Sequence, residues 1–100
     1  MSRIRWTEQA VGDVRAIRQY IERDSPRYGR LVAERLIEAT ARLQAFPRSG
    51  RIVPELNRDD VREIIVGAYR IVYRLEPQAV TVLTVFRSSR LFPTDTPELN

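Results

Sequence analysis

The side chains able to do chemistry in this sequence are nearly all of one kind. It carries 17 basic residues, every one an arginine, against 13 acidic ones, for a net charge of +4 and a pI of about 10.3. Lysine, histidine and cysteine are absent. Arginine is a planar, permanently charged fork that suits phosphate and carboxylate but does not release a proton near neutrality. The missing histidine removes the usual general base and the commonest metal ligand. With cysteine missing too, a zinc site, a disulfide and thiol catalysis are all unexpected. The composition favours binding an anionic macromolecule, nucleic acid or acidic protein, over small-molecule chemistry. No cofactor and no metal is expected.

Any such arginines must be positioned by a small fold. A chain of 100 residues makes one domain with a modest core. No run approaches the roughly 18 apolar residues of a membrane span. The opening MSRIRWTEQ lacks the apolar stretch of a signal peptide. Together with the missing cysteines, this predicts a cytoplasmic protein.

Ile4 to Trp6 suits a short strand, and Thr7 a helix N-cap. Ala10, Val11, Val14, Ile17 and Ile21 then recur at helical spacing, up to a stop near Asp24. Ser25-Pro26 reopens a helix, with serine as cap and proline in the first turn. Val32, Leu36, Ala39, Leu43 and Phe46 give its apolar stripe, and Pro47 ends it. A helical hairpin follows. Residues 47–60 form a long loop; its Ile52, Val53 and Leu56, punctuated by Gly50 and Pro54, predict that it packs near the helix–sheet junction. The period then changes from 3.6 to 2. Strands are expected over Val61–Val66, Tyr69–Leu75 and Val80–Arg87, joined by a Gly-X turn at Gly67-Ala68 and a turn at Glu76–Ala79. The last strand, apolar on both parities, belongs inside the sheet. Residues 1–93 make one α+β domain, a helical hairpin packed on a small, mainly antiparallel sheet; 94–100 make a loose polar tail.

The turns set a register. Val66, Ile64 and Arg62 oppose Tyr69, Ile71 and Tyr73 on one side. Ile65, Glu63 and Val61 oppose Arg70, Val72 and Arg74 on the other. Pairing Glu76 with Ala79 puts Val82, Thr84 and Phe86 on the first side, under the helices. It puts Leu83, Val85 and Arg87 on the second, with Glu63 between Arg70 and Arg74. That second face is then open, cationic and greasy, and a large mixed patch of this sort is generally covered by a partner.

Three segments, FPRSGRIVPE, VREIIVGAYRIVYR and VTVLTVFRSSR, occur in the order strand, helical hairpin, three antiparallel strands. In this they resemble the RelE/ParE superfamily of bacterial toxins from type II toxin–antitoxin systems, over about residues 4 to 92. The resemblance implies a cognate antitoxin encoded alongside, a hetero-oligomer with it, and a growth-inhibiting, plasmid-stabilising role. RelE-like members cut mRNA on the ribosome; ParE-like members poison DNA gyrase. Arg70 matches the family arginine of the Tyr-Arg pair and Arg90 the C-terminal arginine, while Arg87 stands where many relatives have histidine. A nuclease of this fold needs a proton acceptor, a proton donor and a charge clamp. Here Arg70, Arg87 and Arg90 supply the clamp, and only Glu63 or Tyr73 is left for proton transfer. The Pro-x-x-Gly-Arg-x-x-Pro-Glu loop and long second helix also look ParE-like. The expected function is therefore a non-enzymatic gyrase-binding toxin; the alternatives are a ribosome-dependent mRNA endonuclease and a non-toxic nucleic-acid- or protein-binding domain. The expected partner surface comprises Arg70, Val72, Arg74, Leu83, Val85, Arg87 and Arg90, meeting an acidic antitoxin segment.

Overall fold

The computed structural model describes residues 1–99. Its elements run β1 (Arg3–Trp6), α1 (Glu8–Glu22), α2 (Pro26–Ala41), a 3-10 turn (Arg42–Gln44), β2 (Arg51–Ile52), β3 (Val61–Val66), β4 (Tyr69–Glu76), β5 (Ala79–Arg87) and a final 3-10 turn (Pro97–Leu99). Thr7 caps α1 by accepting the Ala10 amide at 3.0 Å, and Ser25 caps α2 by accepting the Tyr28 amide at 3.2 Å. The two helices approach so closely at Gly29 that a Cβ there would lie 2.8 Å from the Arg18 carbonyl. Glycine is the residue that allows this hairpin to close.

The sheet has five strands in the order β1-β5-β4-β3-β2. β1 is parallel to β5, and the other pairs are antiparallel. The fold is thus the α+β architecture expected, with β5 inside the sheet. β3 and β4 pair in the expected register, from Val66 opposite Tyr69 to Val61 opposite Arg74. Gly67, with φ of +57°, makes their turn. A positive φ at the first turn residue alone is the Gly-X geometry that matches the twist of a hairpin.

The β4–β5 register departs from expectation. Glu76 does oppose Ala79, but Tyr73 faces Val82 while Val72 faces Thr84, so Leu83 is an extra residue. Such a bulge reverses the parity of everything beyond it. Val85 therefore joins the helix-side core with Ala10, Leu36, Ile71 and Val82. Phe86 goes to the far side with Val72 and Leu83. Arg87 sits over the Tyr69 ring, 5.7 Å from its centroid, beside the helices. The placements of Val85, Arg87 and Phe86 drawn from unbroken alternation are thus corrected.

The far face is not open either. Val53 and Leu56 from the loop and Phe92 and Leu99 from the C-terminal segment pack on Val61, Val72, Leu83 and Phe86. The loop after α2 contains β2, which pairs with β3; its Val53 and Leu56 serve the far face rather than the helix junction, and Ile52 stays exposed. The segment from Thr94, expected to be loose, buries Thr96 and Leu99; Asn100 lies outside the described residues. Phe46, read as the end of the α2 stripe, is 67% exposed because the helix has already tightened into its 3-10 turn. No helix of the described chain is long and apolar enough to cross a membrane.

Candidate functional site

The residues singled out for chemistry fall into two groups that the fold keeps apart. Arg70 and Glu63 lie diagonally across β4 and β3 on the far face, where cross-strand neighbours can touch. Arg70 Nε donates to Glu63 Oε1 at 2.7 Å. Its two terminal nitrogens donate to both oxygens of Glu55, at 2.9 and 2.8 Å. Arg51 Nε donates to the remaining oxygen of Glu63 at 2.6 Å. The Arg70 guanidinium lies 5.2 Å from the ring centroids of both Phe86 and Phe92, which meet edge to face at 5.6 Å. The nitrogen-bound protons of an arginine have fixed directions, and here each of the three nitrogens donates to a carboxylate while the rings lie over the guanidinium.

Burial sets the electrostatics. Glu63 is 1% exposed and Arg70 7%. The Arg70 hydrogen bonds hold the Glu55 carboxyl down at about 2, against burial working the other way. The same bonds to Glu55, then those to Glu63, push the Arg70 guanidinium further from deprotonation. A buried ion pair is stable only if every charge finds its partners, and these do. Glu63 is flanked by Arg70 and Arg51, not by Arg70 and Arg74. Arg74 instead donates to the Glu98 carbonyl at 2.8 Å and helps pin down the C-terminal segment.

Tyr73 lies under the helices, as its parity predicts. Its hydroxyl donates to the Pro47 carbonyl at 2.8 Å and accepts the Gly50 amide at 2.9 Å. Burial pushes that phenol up, away from proton release. Arg87 and Arg90 are exposed, and neither reaches the Arg70 cage. Val72 and Leu83 are fully buried under the chain's own loop and C-terminal segment. Arg70, Arg87 and Arg90 therefore do not converge on one anion site. The sequence reading missed Arg51, Glu55, Phe92 and the role of Phe86. Their signal was the charged, proline-rich run after α2, which looks like solvated loop until its partner Arg70 is known.

The cage can hold charge in place but is poorly arranged to move protons. Both oxygens of Glu63 are committed, and the Tyr73 hydroxyl is used twice. Of the residues singled out, those that remain accessible are cationic: Arg87, Arg90 and, partly, Arg74.

The fold itself has known counterparts. The chain superposes on a chain of the chromosomal ParDE toxin–antitoxin system from P. aeruginosa with a TM-score of 0.73 at 21% identity, covering 87% of this chain and 96% of that one. It superposes on a chain of the RelBE2 toxin–antitoxin complex from Mycobacterium tuberculosis with a TM-score of 0.53 at 22% identity, covering 86% and 96%. The architecture is that of the RelE/ParE toxins.

The family model of the ParE toxin of type II toxin–antitoxin system, parDE, matches residues 4–92, and the chain belongs to that family. It is similar to Toxin RelE2 of Caulobacter vibrioides, 32% identical over 91 residues that span 91% of this chain and all of that protein. It is also similar to the putative toxin Y4kP of Sinorhizobium fredii, 34% identical over 93 residues, 91% of this chain and 93% of that protein. The relatives' names fall on both sides of the RelE–ParE divide, so the target must be argued from the site.

Proposed function

We propose that this toxin of a type II toxin–antitoxin pair arrests growth by binding DNA gyrase rather than by cutting mRNA, and that a cognate antitoxin neutralises it in the cytoplasm. The observation that carries the reading is the state of Glu63. It is the carboxylate that the sequence offers as a general base on the strand beside the family's Tyr-Arg pair, and it is buried with an arginine on each oxygen, while Glu55 gives both of its oxygens to Arg70. Two guanidinium groups occupy the oxygens with which it would have to accept a proton. With lysine and histidine absent from the chain, charge is the only catalytic element the arginines supply, and charge alone serves binding better than cleavage. Of the residues expected to form the partner surface, Arg87, Arg90 and the exposed part of Arg74 are free to meet a partner; Arg70, Val72 and Leu83 lie buried on the far face and Val85 on the helix side.

Inducing the chain alone in a bacterial host tests the reading. Filamentation with a DNA-damage response, while translation continues, is the expected result. An abrupt stop in protein synthesis before any damage response would overturn it.

A further inference from the structure

The sheet ends at β1, which pairs with β5 on one side and with no strand on the other. Its hydrogen bonds fix which backbone groups face outward, because in a parallel ladder alternate residues bond to the neighbouring strand. Arg3 donates to the Gln78 carbonyl at 3.0 Å and Thr7 to the Val82 carbonyl at 3.1 Å, so Arg3, Arg5 and Thr7 face β5. The amides and carbonyls of Ser2, Ile4 and Trp6 then point away from the sheet. Ser2 finds a partner, donating to the carbonyl of Gln44 in the 3-10 turn after α2 at 2.9 Å. The outward groups of Ile4 and Trp6 have none among the described residues.

The two sides of this edge differ in chemistry. Toward the helices, Trp6 lies half-buried in a groove of about 380 Å³ with Val11, Ala33 and Ile37. Val11 and Ile37 are 41% and 53% exposed. Arg15 and Arg18 are the polar residues lining that groove, and no carboxylate does so. On the opposite side of β1, Arg3 and Arg5 are exposed, and neither forms an ion pair among the described residues. Charge on an edge strand guards against pairing with a like strand. A guard needs charge alone. Here the chain's single tryptophan and two exposed aliphatic side chains lie against the same edge, and tryptophan is among the side chains that most often anchor an interface.

We propose that this edge holds the toxin's target: an extended, acidic segment of gyrase adds to the sheet beside β1 and pairs with the outward backbone groups of Ile4 and Trp6. The alternation of a strand dictates the segment's pattern. Its residues on the helix side are apolar and cover Trp6, Val11 and Ile37. Those on the other side are aspartate or glutamate and meet Arg3 and Arg5. A second copy of this chain is a poor occupant, because pairing Ile4 with Trp6 of the copy sets Arg5 directly against Arg5. The proposal rests on the gyrase reading above, and adds the surface that makes the contact.

The test uses the full chain with and without intact DNA gyrase on DNA, amide exchange being read residue by residue after quenching. The Ile4 and Trp6 amides exchange quickly in the free chain and slow on the order of 100-fold in the complex. Arg3→Glu combined with Arg5→Glu weakens gyrase binding by roughly tenfold or more. Arg27→Glu combined with Arg30→Glu, exposed on α2, makes the same change in net charge and leaves binding unchanged. Gyrase bound while Ile4 and Trp6 still exchange fast would overturn the docking edge and leave the gyrase reading standing. Equal losses from the two double variants would reduce Arg3 and Arg5 to general attraction and overturn the proposal. Protection produced only by the protein encoded by the adjacent gene would assign the edge to the antitoxin and overturn it as well. Failure to bind gyrase at all would remove both the gyrase reading and the docking edge.

Discussion

The two faces of the sheet are both covered but held by different physics. Toward the helices, Leu36, Ile71, Val82 and Val85 make an aliphatic core whose energy scales with the area removed from water. On the far side, Val53, Val72 and Leu83 surround Arg70, Glu63, Phe86 and Phe92. An aliphatic core tolerates repacking if volume is conserved. A buried ion network tolerates removal as a whole far better than removal in part, since half of it leaves a charge without its counter-charge. The far face is thus the more brittle one, and it is also where the family's Tyr-Arg arginine resides. In this chain that arginine is committed to holding loop and C-terminal segment against the sheet.

The largest break in the comparison should come from Arg70→Met. Glu63 and Glu55 lose their shared partner, and stability falls by about 3–5 kcal/mol in urea titrations. Adding Glu63→Gln to that variant costs less than Glu63→Gln alone, because the carboxylate it removes has already lost one of its two arginines and keeps only Arg51. On the helix side, Leu36→Ala costs about 2–5 kcal/mol by opening a cavity, and it adds to either far-face change without coupling. Strict additivity of Arg70→Met and Glu63→Gln would contradict the network.

Smaller changes sharpen the same contrast. Phe92→Ala removes a half-buried ring that caps both Phe86 and the Arg70 guanidinium. A loss of about 1–2 kcal/mol is expected, with faster exchange confined to the far face. Acid acts on the far face through Glu55. Glu55 titrates at about 2 in the fold against an ordinary 4.5, so its contribution is complete above pH 4.5 and is lost as pH falls from there through 2. Its side chain is 39% exposed; after solvent screening the effect is about 1 kcal/mol. Glu55→Gln should flatten that part of the pH–stability curve, while Leu36→Ala leaves its shape unchanged.

How much of this was legible in the sequence divides at Leu83. Thr7 and Ser25-Pro26 mark the helix starts, and Gly67-Ala68 with strict alternation sets the β3–β4 register, because each is a local rule acting on neighbours; α2 stops at Ala41, ahead of Pro47. The bulge is not local. It sits where β1 ends beside β5: Thr7 donates to the carbonyls of Val82 and Leu83, and Asp13 accepts the Val85 amide at 2.9 Å. A strand that changes its neighbour midway can change its phase, and Val-Leu-Thr-Val, apolar on both parities, carries no glycine or proline to announce it. The same holds for the cage. Arg70 and Glu63 were placed on one face by counting. That Glu55 and Arg51 would arrive from a loop to enclose them depends on a pairing only two residues long.

The central claim, that the arginines of this toxin bind and do not cleave, is tested most directly by giving the purified chain both targets. Ribosomes programmed with a defined mRNA should leave the message intact, while DNA gyrase with supercoiled or relaxed DNA should be inhibited or trapped on it. Codon-specific cuts in the mRNA, abolished in a folded Glu63→Gln variant, would contradict the account.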